Sequence, residues 1–181
     1  MNSLFDTAPD FDQPVAVLKH CHDRIRKQLK TLQQLASPAA SDAGPDELQK
    51  AAAAVLRYFE KAAPQHHEDE ECDLLPMLVE TARDDDAALL DTVITEVLDE
   101  HNQMSLLWHK LHAQLAAIAA GAATAVASAD AERFCALYLS HMEKEETHIA
   151  PMAKRLFSPA QMQRLGNAMR TRRGIALPEG A

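Results

Sequence analysis

The pattern His-x3-Glu-Glu-x4-Pro occurs twice in this chain, 75 residues apart: as His66, Glu70, Glu71 and Pro76, and again as His141, Glu145, Glu146 and Pro151. Each copy follows another histidine, His22 standing 44 residues before His66 and His101 standing 40 residues before His141. That recurrence restricts the fold to a duplicated helical hairpin. On a helix, positions i and i+4 differ by about 40° of rotation and about 6 Å of rise. His66 and Glu70 therefore project from one face, as do His141 and Glu145. Imidazole and carboxylate on one helix face are what bundles use to hold iron, manganese or zinc in their cores.

The rest of the sequence supports helices throughout. Only 4% of the 181 residues are aromatic and five are glycine. Alanine and leucine dominate, both good helix formers, and no β-branched run is long enough for a strand. The length suits one domain with ample core. Apolar periodicity predicts four long helices: about Gln13–Ala36, about Asp46–Thr81, about Ala87–Ala120 and about Asp130–Phe157. Pro64 should kink the second helix just before His66, and Pro76 should bend or end it. Arg83-Asp84-Asp85-Asp86 reads as an acidic turn, and Ser37 to Pro45 as a loop. Ser158-Pro159-Ala160-Gln161 has the form of a capping box opening a short fifth helix to about Arg172. The expected architecture is an all-α, up-down-up-down four-helix bundle with a short additional C-terminal helix. Residues 1–12 form an extension, 13–173 the bundle and 174–181 a flexible tail.

In such a bundle all four histidines can point inward at one level. The predicted metal ligands are His22, His66, Glu70, His101, His141 and Glu145. Six donors exceed the needs of one tetrahedral ion and suit two ions bridged by the glutamates. Two divalent ions with neutral imidazoles and only two carboxylates keep net positive charge, which favours a bridging oxide, hydroxide or dioxygen-derived anion. Glu71 and Glu146, turned a further 100°, fall on the surface or behind the ligands. A shifted register, His67 with Glu71, has the same spacing; the second repeat offers only the His141 register. Met104, Trp108, Leu29 and Phe59 read either as core or as the lining of a dry pocket for a small diatomic ligand.

On these residues the chain resembles the hemerythrin-like HHE cation-binding domains across nearly its whole length. The resemblance rests on His22, on His66-x3-Glu70, on His101 and on His141-x3-Glu145. It implies a non-haem di-iron centre bridged by Glu70 and Glu145; the donor chemistry alone leaves zinc or manganese as other occupants. Oxygen-carrying hemerythrins place a further histidine one turn after the helix-three ligand, where this chain has Ser105. His67, His109, His112 and His148 are candidates for a fifth imidazole, and Glu100 for a substitute carboxylate. His148 also reads as a residue lining or backing the site. The implied function is binding or sensing dioxygen, peroxide or nitric oxide, or handling iron. The alternatives are a peroxidase or iron oxidase on the same site, and a structural zinc protein acting through partners.

The remaining features exclude rather than assign. A net charge of -9 argues against a nucleic-acid surface. The small basic cluster Arg170, Arg172 and Arg173 should complement the end of the last helix. The uncharged stretch Ala113 to Ala129 is too weakly apolar for a membrane span. Three cysteines without CxxC spacing read as small buried residues in a reducing compartment. With an N-terminus unlike a signal peptide, this makes a cytoplasmic protein the expectation.

Overall fold

A computed structural model describes residues 10–178. It is an all-α, up-down-up-down four-helix bundle with a short C-terminal helix, and the described residues include no strand. The first rod is α1 (Pro14–Leu35), opened by a proline in its first turn and buried along Leu18, Ile25, Leu29 and Leu32. The second is α2 (Pro45–Asp69), continued by a π-helical turn at Glu70–Leu74 and by α3 (Leu75–Thr81). The third is α4 (Asp84–Ala119). The fourth is α5 (Ser128–Lys144), a second π turn at Glu145–Ile149, and α6 (Ala150–Leu156). Around the bundle α1 packs on α2 and α5, and α4 packs on the same two helices.

The paired π turns explain the proline of the repeated motif. The N–H of Leu75 bonds the carbonyl of Glu70, and that of Ala150 bonds Glu145, each five residues back. Pro76 and Pro151 come next. In a regular helix each would lack its donor and press on the carbonyl four residues earlier. A wider turn just before the proline removes that conflict, and the rod continues instead of ending. Pro64 lies inside α2, which runs through it. π turns within helices are commonly found at functional sites, and both of these begin at a motif glutamate.

Three local expectations are corrected. Arg83 to Asp86 is not a separate turn: Asp84, Asp85 and Asp86 form the first turn of α4, where negative charge suits the helix dipole. Asp84 takes a left-handed φ of 50°, which aspartate tolerates better than most residues. The loop after α1 contains a 3-10 turn at Pro38–Asp42. Of the cysteines only Cys135 is buried; Cys21 is half-buried and Cys72 exposed.

Two apolar clusters fill the bundle. Ile25, Leu29, Phe59, Leu111 and Phe134 belong to one; Leu18, Leu78, Val97, Ile149 and Leu165 belong to the other. Burying each such side chain contributes about 1.5–3 kcal/mol. On every rod the candidate ligands fall where one cluster gives way to the other, so a polar layer divides the core.

The last helix, α7 (Pro159–Arg172), begins with the anticipated capping box of Ser158 and Gln161. Arg173 serves the helix end as expected, donating to the Met169 carbonyl at 3.0 Å, and all three arginines also form ion pairs beyond the helix. Arg170 pairs with Asp10 and Asp12 at 3.0 and 2.8 Å. Arg172 pairs with Asp69 and with Asp73, and Arg173 with Asp69 at 2.6 Å. Arg172 and Arg173 fasten α7 to the rod that carries the first motif, and Arg170 ties it to the residues before α1. Ala113 to Ala129 is the end of α4, a loop after Gly121 and the start of α5, and no described helix is long and apolar enough to cross a membrane. Of the proposed N-terminal extension and tail, residues 1–9 and 179–181 lie outside the described residues.

Candidate metal centre

Each of the four rods brings one buried histidine to the polar layer, and rods two and four add one buried glutamate each. Glu145 spans the two hairpins: its Oε2 lies 3.1 Å from His22 Nε2 and its Oε1 lies 3.3 Å from His141 Nε2. Glu70 does the same, with Oε1 3.1 Å from His66 Nε2 and Oε2 3.6 Å from His101 Nε2. Ligand atoms of His22, His66, Glu70 and Glu145 all fall within 4.8 Å of one another, as do those of Glu70, His101, His141 and Glu145. The two groups share the glutamates and divide the histidines by hairpin.

This atom set fits a cation better than it fits itself. His22 Nε2, His66 Nε2, Glu70 Oε2 and Glu145 Oε2 are sealed from solvent without a hydrogen-bond partner. His101 Nε2 and His141 Nε2 face each other at 3.1 Å. Buried polar atoms left unpaired are costly, and buried charges are normally paired or metal-bound. Nitrogen and oxygen donors converging in this way suit iron, zinc or manganese.

A second ring of carboxylates fixes the imidazoles. His22 Nδ1–H donates to Glu146 at 2.9 Å, His101 Nδ1–H to Glu71 at 2.6 Å, and His141 Nδ1–H to Glu100 at 3.1 Å. A carboxylate can only accept, so each bond sets the tautomer that turns a bare Nε2 to the centre. Glu71 and Glu146 thus have defined work, each holding a histidine of the other hairpin. Glu100 backs His141 and takes an ion pair from Lys144 at 2.5 Å; it is outside both ligand groups.

Electrostatics separate the two glutamates. Burial, then the charge of Glu145, raises Glu70 well above the usual carboxylate range. Burial acts the same way on Glu145, but His141 and His22 overcome it and hold Glu145 well below that range. Burial drives His66 down to about 3. For His141 burial also opposes charge, yet Glu145 and Glu100 prevail and raise it to about 9.

Among the candidates for a fifth imidazole, His109 donates to the Ser105 carbonyl and His112 to Glu60, both on the exposed surface. His148 joins none of the ligand groups. His67 does, with His101 and His141. Cavities reach the layer from two sides. One, of about 220 Å³, opens onto His22, Glu70 and Glu145 between Leu18, Leu74 and Ile149, with Lys19 and Lys154 also on its wall. The other, of about 310 Å³, lies beside His67 and His101 and is lined by Phe59, Met104 and Trp108. The first two of these are also buried members of the core, as is Leu29, and Trp108 packs against that core; Glu68, Glu71, Asn102 and Ser105 share the cavity wall, so it is not a purely apolar pocket.

Fold and site together define a four-helix bundle built around a buried His/Glu cluster able to bind metal. Comparison with known proteins places it further: the hemerythrin HHE cation binding domain matches residues 13–153. The chain belongs to that family. It is also similar to an uncharacterized protein of Haemophilus influenzae, 26% identical over 165 residues that cover 91% of this chain and 92% of the relative.

Proposed function

We propose that this protein is a non-haem di-iron protein that binds or senses a small oxidant, dioxygen, peroxide or nitric oxide. The observation that carries the reading is the double ligand group: two pairs of histidines, one from each hairpin, on a shared pair of glutamates. His22 and His66 would hold one ion, His101 and His141 the other, with Glu70 and Glu145 between them. Bound iron would supply the Lewis acidity and redox change that small oxidants require. The residues themselves do the rest. Glu71, Glu146 and Glu100 hold three of the imidazoles by Nδ1 and aim their Nε2 atoms at the centre. Leu18, Leu74 and Ile149 form an apolar wall of the 220 Å³ cavity beside the ligand atoms, where a small molecule could reach them.

The test is metal analysis of protein purified without added metal, with absorption spectra before and after exposure to air. Iron near two per chain, with an oxo-to-iron charge-transfer band that appears in air, is the expected result. Stoichiometric zinc with a featureless spectrum would replace this reading by a structural metal site. Sustained consumption of peroxide by the iron-loaded protein would replace it by an enzyme.

A further inference from the structure

His66 and His67 are neighbours in α2, so their side chains leave the helix about 100° apart. His66 turns to His22, their ring centroids 4.9 Å apart. His67 turns the other way and stacks on His101, with centroids 4.0 Å apart and planes within 14°. Its ring lies 6.0 Å from that of His141. Nitrogens of His67, His101 and His141 lie within 4.8 Å of one another. His67 Nε2 is shielded from solvent and has no hydrogen-bond partner. A packed ring would explain the stacking. It would not explain a buried nitrogen left unpaired beside two others, an arrangement that costs free energy unless something accepts the lone pair.

We infer that His67 is a third imidazole ligand of the ion held by His101 and His141. The inference rests on the metal-site reading above and adds an asymmetry to it. By the repeat, the position equivalent to His67 is Met142, a buried residue of the core that offers no imidazole to the other ion. The chain thus assembles five imidazoles as three and two, without a histidine at Ser105. The His22 and His66 ion is left with one protein donor fewer.

Cobalt(II) titration of the metal-free full chain tests this, followed by its visible d–d absorption. Wild type should bind two ions. His67→Phe keeps a flat ring against His101 and deletes the nitrogen, and should leave one site unchanged while weakening the other by at least about tenfold, the lower end for loss of even an outer-shell partner. The d–d band should also intensify as the coordination number falls. His67→Gln, in case the Phe variant does not fold, should weaken the same site. Two ions bound by wild type, with affinities and spectrum unaltered in either folded variant, would overturn the assignment of His67 alone. Wild type that takes up no ion would overturn both this inference and the metal reading beneath it.

Discussion

His66 and His141 occupy the same place in the repeated motif, yet their surroundings differ. His141 Nδ1–H is held by Glu100, and the ring is raised to about 9 once Glu145 and Glu100 outweigh burial. His66 Nδ1 is buried with no partner, and burial lowers the ring to about 3. The cause is visible in the repeat: the residue before His101 is Glu100, whereas the residue before His22 is Cys21. What the two hairpins do share is the exchange of acids, Glu71 to His101 and Glu146 to His22. Duplication therefore specifies the inner donors and one supporting acid per hairpin. The rest of the support has diverged, and a carboxylate behind a ligating histidine raises its basicity. On the proposed reading, the second hairpin would offer an ion stronger donors than the first.

The largest expected effect erases the comparison. Because Glu70 and Glu145 each touch histidines of both hairpins, Glu70→Ala and Glu145→Ala should each strip both ions. His66→Ala should remove chiefly the ion it shares with His22. Metal per chain after dialysis checks this. Two ions retained in Glu70→Ala would mean that the glutamates do not join the halves.

Next is a brace that, among the described residues, belongs to the first hairpin. Asp69, fully buried, is held by Arg172 and Arg173 of α7; the equivalent position in the second motif is Lys144. Replacing both arginines by alanine leaves a buried charge uncompensated and should cost about 3–5 kcal/mol, read from denaturant unfolding of the metal-free protein. A loss under about 1 kcal/mol, the level of a surface pair, would show that α7 does not brace the site.

The division between what the sequence discloses and what it hides follows from the range of the interactions. Helices, capping box and inward histidines depend on spacings of three and four residues and on a repeat, all local quantities, and they are readable. The convergence of His22, His66, Glu70, His101, His141 and Glu145 was legible for the same reason. The π turns were not: Pro76 and Pro151 signal irregular backbone, but whether a helix ends or widens depends on what its far side must pack against. The arginine clamp is not legible in the sequence, because Arg172 and Asp69 are 103 residues apart and no local pattern links them. His67 is one of four candidates in the sequence, and its stacking on His101 depends on the third rod lying alongside the second, which no local spacing discloses.

A subtler test addresses the support itself. Glu100→Gln retains shape and removes charge, and should weaken the ion at His101 and His141 by about 10–100-fold. Cys21→Ala should leave the other ion's affinity unchanged, since His66 Nδ1 has no partner to lose. Equal losses in the two variants would restore the symmetry that the repeat suggests.

The smallest effect locates Lys144. Its ammonium lies 2.5 Å from Glu100 and 2.9 Å from Glu96, with about a quarter of the side chain exposed (27%). An ion pair so placed contributes about 0–1 kcal/mol, so Lys144→Ala should weaken metal binding by no more than about fivefold. If the lysine acts by holding Glu100 against His141, its removal should have no effect once Glu100 is glutamine, because the charge it anchors has gone. Metal affinities of wild type, both single variants and the double variant form the cycle that isolates this coupling. A weakening that persists undiminished in the Glu100→Gln background would mean that Lys144 supports the site by a route other than Glu100, and that His141 owes its orientation to Glu100 alone.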